Sequence, residues 1–412
     1  MAKIAVLGHG VVGSGVVELT MTNDNFIENR AGQKIEVKRI LDIREFPDLP
    51  YANRFTKEIQ DILGDDEIEV VVETMGGLHP AYDFVKQALV CGKSVVTSNK
   101  ELVAEKGAEL LQTAKEHNVN FYFEASVGGG IPIIRPLHLC LAANEIYEIA
   151  GILNGTTNFI LTKMIHEQMN FDEALKLAQE LGYAERDPSA DIEGHDTCRK
   201  ICILASLAFG KHVYPKFVHT EGITKVTLED IEYADNWGGV VKLIGRARKL
   251  EDGKLMVMVS PAFINRKSQL SSIEDVFNGI LVRGNATGDV VFYGKGAGKL
   301  PTASAVVADV IDAVKSNGTS FSLSWEDSSE NYVVDYKNVQ VQFFVRCTAK
   351  DKSKAMKQLE EKLGGIEYLS RNEIPEDEFA FVTKPVTQEY LDQVLSEAEE
   401  IKALSKIRVL NY

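Results

Sequence analysis

The sequence predicts an α/β chain in three parts: a parallel sheet covered by helices, a mixed α+β region, and a C-terminal βαββαβ unit. Three observations predict it. Short β-branched apolar runs alternate with amphipathic segments from Lys3 to Phe123, the pattern of a sheet buried on both faces. The first run delivers three glycines with GxGxxG spacing. From Val339 onward, the periodicities read strand, helix, strand, strand, helix, strand.

In the first part the strands are Lys3–Leu7, Ile35–Asp42, Ile68–Glu73, Ser94–Thr97 and Asn120–Phe123. Helices are expected from about Gly13, and over Ala81–Val90 and Glu101–Glu116. In Gly8-His9-Gly10-Val11-Val12-Gly13, Gly8 permits the tight turn, Gly10 admits a pyrophosphate to the backbone, and Gly13 lets helix and strand pack closely. The helix start then offers N–H groups and a positive dipole to phosphate. This is the fingerprint of a Rossmann dinucleotide-binding domain, and it points to NAD or NADP. The second strand ends at Asp42, whose carboxylate suits a ribose diol and repels a 2′-phosphate, while Arg44 two residues on suits that phosphate. The choice between NAD and NADP stays open, with acceptance of both expected.

After Gly128-Gly129-Gly130 the pattern changes. Strands at Glu145–Leu153, near Leu255–Ser260, Gly279–Arg283 and Asp289–Phe292, and helices at Phe171–Leu181 and Asp196–Phe209, predict a mixed second domain. A helix opened by Pro301 runs to about Lys315 and closes it. Ser316–Glu330, rich in Ser, Asn, Gly and acids, reads as a linker. The C-terminal unit then places strands at Val339–Cys347, Ile366–Arg371, Glu378–Thr383 and Ile407–Leu410 and helices at Ser353–Leu363 and Thr387–Ala398, a ferredoxin-like order.

Composition narrows the function. The chain is 45% apolar and 25% charged over 412 residues, an ordinary folded enzyme long enough for several domains. A net charge of −15 repels a phosphate backbone, so no nucleic-acid partner is expected. No leader or membrane-spanning apolar stretch is read, so neither secretion nor insertion is expected. Five scattered cysteines read as reduced thiols, which places the protein in the cytoplasm.

Chemistry-bearing residues gather at strand ends, where open α/β sheets bind ligands. Glu73-Thr74 and Thr97-Ser98-Asn99-Lys100 stand at two of them. Glu124 precedes Ala125-Ser126-Val127-Gly128-Gly129-Gly130-Ile131, a loop whose carbonyls with one carboxylate suit a monovalent cation better than a transition metal. Asp196 and Lys200 lie one turn apart on a single helix face, which brings a carboxylate and an ammonium together.

The sequence resembles the homoserine dehydrogenases. The likeness runs from Ile4 to about Val314, through GHGVVG, the TSNK block, EASVGGGIPI, the block Asn154–Asn158, GYAERDPSADIEGHDTCRK, and Gly294–Gly298. It implies NAD(P)-linked interconversion of aspartate 4-semialdehyde and homoserine, in the biosynthesis of threonine, methionine and isoleucine. It implies that Lys200 is the general acid and base, with Lys100 also in the catalytic centre. Glu185 and Asp196 would bind the substrate's amino group, with Asp191 supporting them. Gly8, Gly10, Val11, Val12, Gly13, Asp42, Arg44, Thr74, Lys100, Gly182 and Gly298 make up the cofactor set. Glu124 and the backbone carbonyls of Val127, Gly129 and Ile131 would hold sodium or a similar ion. No cysteine sits as an acylating nucleophile would, which favours alcohol–aldehyde interconversion.

On this reading residues 1–130, completed by helix 301–315, form the Rossmann domain; 131–318 form the substrate-binding, catalytic and dimerisation domain; and 331–412 form a regulatory domain similar to an ACT domain. A homodimer or homotetramer is expected, with threonine as the natural effector. The first strand–helix turn, Cys347 to Lys354, lacks the Asp-x-Pro-Gly signature usual in ACT domains, so effector binding and pure oligomerisation both stay open. Two further readings remain open from sequence: a related Rossmann oxidoreductase of another amino-acid aldehyde, and a non-catalytic amino-acid sensor.

Overall fold

The structure is a computed structural model that describes all residues except 317–322, 328–330 and 399. Much of the linker expected at Ser316–Glu330 lies outside the described residues. The chain divides into two compact units: Met1–Ile146 with Cys202–Pro215 and Phe292–Glu330, and Tyr147–Ile201 with Lys216–Val291 and Asn331–Tyr412.

The first unit is built on six parallel strands: β1 (Ala2–Leu7), β2 (Ile35–Leu41), β3 (Phe55–Thr56), β4 (Ile68–Glu73), β5 (Ser94–Thr97) and β6 (Phe121–Tyr122). Their order is β3-β2-β1-β4-β5-β6, the dinucleotide-binding order that reverses beside β1. Ile4, Ala5, Val6 and Leu7 of β1 are fully buried, as a central strand covered on both faces requires. The helix Val11–Thr22 follows β1 directly, and Ala303, on the later helix Lys299–Ser316, packs against its Gly15, where an added Cβ would stand 3.0 Å away. The helix Lys100–Glu116 is started by Asn99, whose side chain accepts from Leu102 N at 3.1 Å.

The second unit carries a mixed sheet of β7 (Ile146–Ile152), β8 (His219–Thr220), β9 (Gly239–Lys249), β10 (Leu255–Asn265), β11 (Phe277–Gly284), β12 (Gly288–Lys295), β13 (Gln342–Ala349), β14 (Glu367–Leu369), β15 (Glu378–Val382) and β16 (Ile401–Leu410). The order is β12-β11-β7-β9-β10-β16-β13-β15-β14, with β8 also on β10. In the last four positions, β16-β13-β15-β14, each strand is antiparallel to its neighbour, the split-βαβ arrangement expected from sequence. Phe343, Val345, Phe379 and Phe381 pack there with Leu359 of helix Lys352–Leu363 and Leu391 of helix Gln388–Glu397.

The C-terminal strands do not stand apart. β16 pairs in parallel with β10 through Ala262↔Arg408, Phe263↔Val409 and Ile264↔Leu410, so one sheet runs through the whole second unit. The pairing covers what would otherwise be an open edge of each half-sheet. Sequence reading shortened β16 to its apolar end, because its first half carries Lys402, Ser405 and Lys406 and is exposed from Lys402 to Leu404. It also missed β9, whose Lys242, Arg246 and Arg248 break the apolar signature although the strand is mostly buried.

Candidate active site

In the first unit, Gly8 has φ +91°, a left-handed value that glycine adopts without strain. A Cβ on Gly13 would stand 1.9 Å from Gly8 O and 2.7 Å from Thr74 Oγ1, so this crossing of strand and helix admits no side chain. A Cβ on Gly10 would meet nothing within 4 Å, which leaves the helix start open to a ligand. Gly10 caps the helix without a side-chain hydrogen bond, and no acidic residue stands in its first turn. Val11 is exposed and Val12 half-buried. These are the features of an anion cradle: open backbone N–H groups at a positive helix end. The residues fit the pyrophosphate of a dinucleotide.

Thr74 hangs on the same turn, its hydroxyl donating to Leu7 O and Gly8 O, each at 3.0 Å. Asp42 is buried at the end of β2 and accepts from His9 N at 2.7 Å and Arg44 N at 2.9 Å. Arg44 Nε and Nη2 grip the same carboxylate at 3.0 and 2.9 Å, and this grip holds Asp42 well below the usual carboxylate range. The pair borders a cavity of about 300 Å³ lined also by Phe46, Phe55 and Lys57. Beside it His9, which sequence reading passed over, is buried among Phe46, Tyr51 and Phe55 with its Nε2 3.2 Å from Tyr51 Oη. Gly298 lies in an exposed turn before the helix Lys299–Ser316, and Lys100 is the half-buried first residue of its helix.

Glu124 is also in the first unit and is buried. Its carboxylate accepts from the backbone N–H of Ile133 (2.6 Å), Ile134 (2.8 Å) and Arg135 (2.8 Å). Asp309, missed from sequence, accepts from Glu124 N at 2.8 Å and Arg135 Nη2 at 2.7 Å; burial pushes its carboxyl up to about 7. Among the described residues no backbone N–H donates to the carbonyls of Val127, Gly129 or Ile131. These are the carbonyls that the sequence singles out for a monovalent cation; among the described residues no three His, Cys, Asp or Glu side chains gather as metal ligands.

The second unit holds a buried cluster of an ammonium and carboxylates. Asp196 opens the helix His195–Phe209 and Lys200 follows one turn later; both are buried, at 3% and 8% exposure. Lys200 Nζ donates to Asp196 Oδ2 and to Leu153 O, each at 2.7 Å. Asn154 Nδ2 bridges Asp191 Oδ1 at 2.6 Å and Asp196 Oδ2 at 2.9 Å, while its own oxygen caps the helix Gly155–Glu167 through Thr157 N at 2.8 Å. Sequence reading left Asn154 without a role, although it opens the Asn154–Asn158 block.

Of the predicted site residues, the structure brings Asp191, Asp196 and Lys200 into one cluster. Glu185 and Gly182, both exposed, lie instead in the segment 181–187, which is pinned by Thr156 Oγ1 to Tyr183 O at 2.7 Å. An ammonium paired with a carboxylate at this depth differs from the surface ion pair that i,i+4 spacing most often yields, and such burial is a mark of functional sites.

Comparison with known proteins agrees with both units. Residues 8–124 match the family description "Homoserine dehydrogenase, NAD binding domain" and residues 132–311 match "Homoserine dehydrogenase". A homoserine dehydrogenase from Synechocystis sp. is 47% identical over 319 residues, 76% of this chain and 73% of that protein. A crystal structure of a homoserine dehydrogenase from Thiobacillus denitrificans superposes with a TM-score of 0.91 at 34% identity, covering 100% of this chain and 98% of that one. A hyperthermophilic archaeal homoserine dehydrogenase in complex with NADPH is similar at 29% identity and a TM-score of 0.64, over 76% of this chain and 97% of that one. With an NAD-binding domain of matching description, a shared fold over its full length and relatives of this closeness, the chain belongs to the homoserine dehydrogenase family of NAD(P)-dependent oxidoreductases.

Proposed function

We propose that the chain interconverts L-aspartate 4-semialdehyde and L-homoserine with Lys200 as the general acid and base. The observation that carries this reading is the buried Lys200 ammonium, oriented by Asp196 and Leu153 O. Bound NAD(P) supplies or accepts the hydride. When the aldehyde carbon gains a hydride, its oxygen gains negative charge, and Lys200 donates the proton that makes the hydroxyl. In the reverse direction, Lys200 takes that proton back. Asp196 and Glu185, with Asp191 in support, recognise the α-ammonium of the amino acid, and Lys100 completes the catalytic centre. Asn154 holds Asp191 and Asp196 at a fixed separation.

The dinucleotide is read as held by Gly8, Gly10, Val11, Val12, Gly13, Thr74, Lys100, Gly182 and Gly298. Asp42 and Arg44 act on the ribose end, and together they serve NAD and NADP alike: the carboxylate for a diol, the guanidinium for a 2′-phosphate. Glu124 with the carbonyls of Val127, Gly129 and Ile131 would hold sodium. A cytoplasmic homodimer or homotetramer is read as the working form, the odd number and wide scatter of the five cysteines along the chain suiting a reducing compartment. The C-terminal βαββαβ unit is read as ACT-like, with threonine as the effector to try first.

The deciding assay is NAD(P)-linked oxidation of a panel of amino-acid alcohols. Homoserine is expected to give the highest kcat/KM by at least about tenfold over homologues longer or shorter by one carbon. Equal rates across the panel would remove the substrate assignment.

A further inference from the structure

The segment 219–223 lies between two parts of the second unit and touches both. On one side Arg408, buried in β16 of the C-terminal βαββαβ unit, grips Glu221 with both ends of its guanidinium, Nη1–Oε2 at 2.8 Å and Nη2–Oε1 at 3.0 Å. Arg408 Nη2 also donates to Gln388 Oε1 at 2.5 Å, and its guanidinium lies over the Tyr336 ring at 5.5 Å. His219 Nε2 reaches the same Glu221 carboxylate at 2.5 Å, with its ring stacked on Tyr336 at 3.6 Å. The carboxylate is thus held from two directions by groups that fix its position.

On the other side, the backbone of this segment is packed against Ile192-Glu193-Gly194, the stretch between Asp191 and Asp196. Ile223 N donates to Ile192 O at 2.8 Å. A Cβ on Gly222 would stand 2.0 Å from Ile192 O and 2.5 Å from Glu193 Cα, so only glycine fits that crossing. A Cβ on Gly194 would meet Thr220 Cγ2 at 3.1 Å and Glu221 O at 3.4 Å. Any shift of Glu221 therefore moves the turn that sets the spacing of the two carboxylates bridged by Asn154.

We infer that Glu221 and Arg408 are positioning residues for the amino-acid site, through which the C-terminal unit holds the Asp191–Asp196 turn in its binding geometry. The inference rests on the reading of Asp191 and Asp196 as the carboxylates that recognise the substrate ammonium. The C-terminal unit is on this account a structural part of the substrate site, and anything that displaces β16 changes amino-acid affinity. Neither residue touches the substrate; each acts through the backbone of 192–194.

The test uses the full-length chain and steady-state homoserine oxidation. Glu221→Gln keeps the side-chain volume and removes the charge. Its homoserine KM is expected to rise roughly five- to twentyfold, with kcat within about threefold and the cofactor KM within about twofold of the parent. Gly222→Ala, which pushes on Ile192 directly, is expected to show the same selective rise. Arg408→Lys keeps the charge without the two-pronged grip and is expected to fall between the parent and Arg408→Met. Asp196→Asn is measured alongside, and near-UV circular dichroism establishes that each variant is folded. A homoserine KM unchanged within about twofold in folded Glu221→Gln and Gly222→Ala, while Asp196→Asn raises it, overturns the positioning role alone. Parallel rises in homoserine and cofactor KM overturn it as well, since they report general loosening. If Asp196→Asn leaves the homoserine KM unmoved, the substrate reading falls and the positioning role falls with it.

Discussion

Asn154 Nδ2 lies 2.6 Å from Asp191 and 2.9 Å from Asp196, so one amide group spaces the two carboxylates beside Lys200. The same side chain caps the helix Gly155–Glu167 through its oxygen. The two duties separate experimentally. Asn154→Ser retains a capping hydroxyl, worth about 1 kcal/mol, but is too short to reach both acids. Its Tm is expected within a few degrees of the parent while kcat/KM for homoserine drops by at least about tenfold. A loss of Tm with unaltered kinetics would make Asn154 a helix cap and nothing more.

The dinucleotide turn offers a paired substitution. Gly13→Ala forces a Cβ into Gly8 O and is expected to lower stability by about 1–3 kcal/mol, read by urea unfolding. Gly10→Ala meets no protein atom within 4 Å and is expected to leave stability unchanged while raising the cofactor KM severalfold. If Gly10→Ala weakened folding and spared the cofactor, the pyrophosphate assignment would be wrong.

Arg44 gives a prediction about cofactor choice. Its side chain is 57% exposed, yet Asp42 holds it in place beside the cavity. Arg44→Ala is expected to cut kcat/KM for NADP by about tenfold or more relative to NAD, because an ion pair with a 2′-phosphate is lost and Asp42 is left to face it alone. The ratio of the two kcat/KM values is the readout, and a ratio equal to the parent's would separate Arg44 from the phosphate.

Most of the first unit was legible in the sequence, because a strand buried on both faces and a glycine-spaced turn each leave a local signature. Gly8, Gly10 and Gly13 are of that kind, as are all the parallel strands except the two-residue β3. The second unit was less legible. β9 was hidden by Lys242 and Arg246, charged residues that the fold buries with partners contributed from 31 and 98 residues away in the chain. The Asp196–Lys200 pair was visible as spacing, but not its depth, which comes with Leu153, the residue after β7, and with Asn154. Asp309 gave no signal at all: it sits inside an amphipathic helix, and only the fold puts Glu124 N and Arg135 beside it. The continuity of β10 with β16 joins strands some 140 positions apart, beyond any local pattern.

Lys242 supplies a pH prediction. It is buried, donates to Ile273 O at 2.6 Å and Asn158 Oδ1 at 3.2 Å, and burial pushes its ammonium down from 10.5 to about 8. Between those values the unfolded chain binds more protons than the folded one, so stability contributed by this site rises with pH from about 8 to 10.5 and is reduced below 8. Urea unfolding at pH 7.5 and pH 10 is expected to show that rise in the parent relative to Lys242→Met, which cannot titrate. Parallel pH dependence in the two proteins would place the Lys242 pKa near its ordinary value.

The central claim is that Lys200 moves the proton in the reaction. Lys200→Ala should be measured in both directions with saturating cofactor, alongside fluorescence titration of cofactor binding. The expected result is a kcat lower by about a thousandfold or more with cofactor affinity within about twofold of the parent. Turnover within about tenfold of the parent in the folded variant would contradict the account and assign the proton to another group.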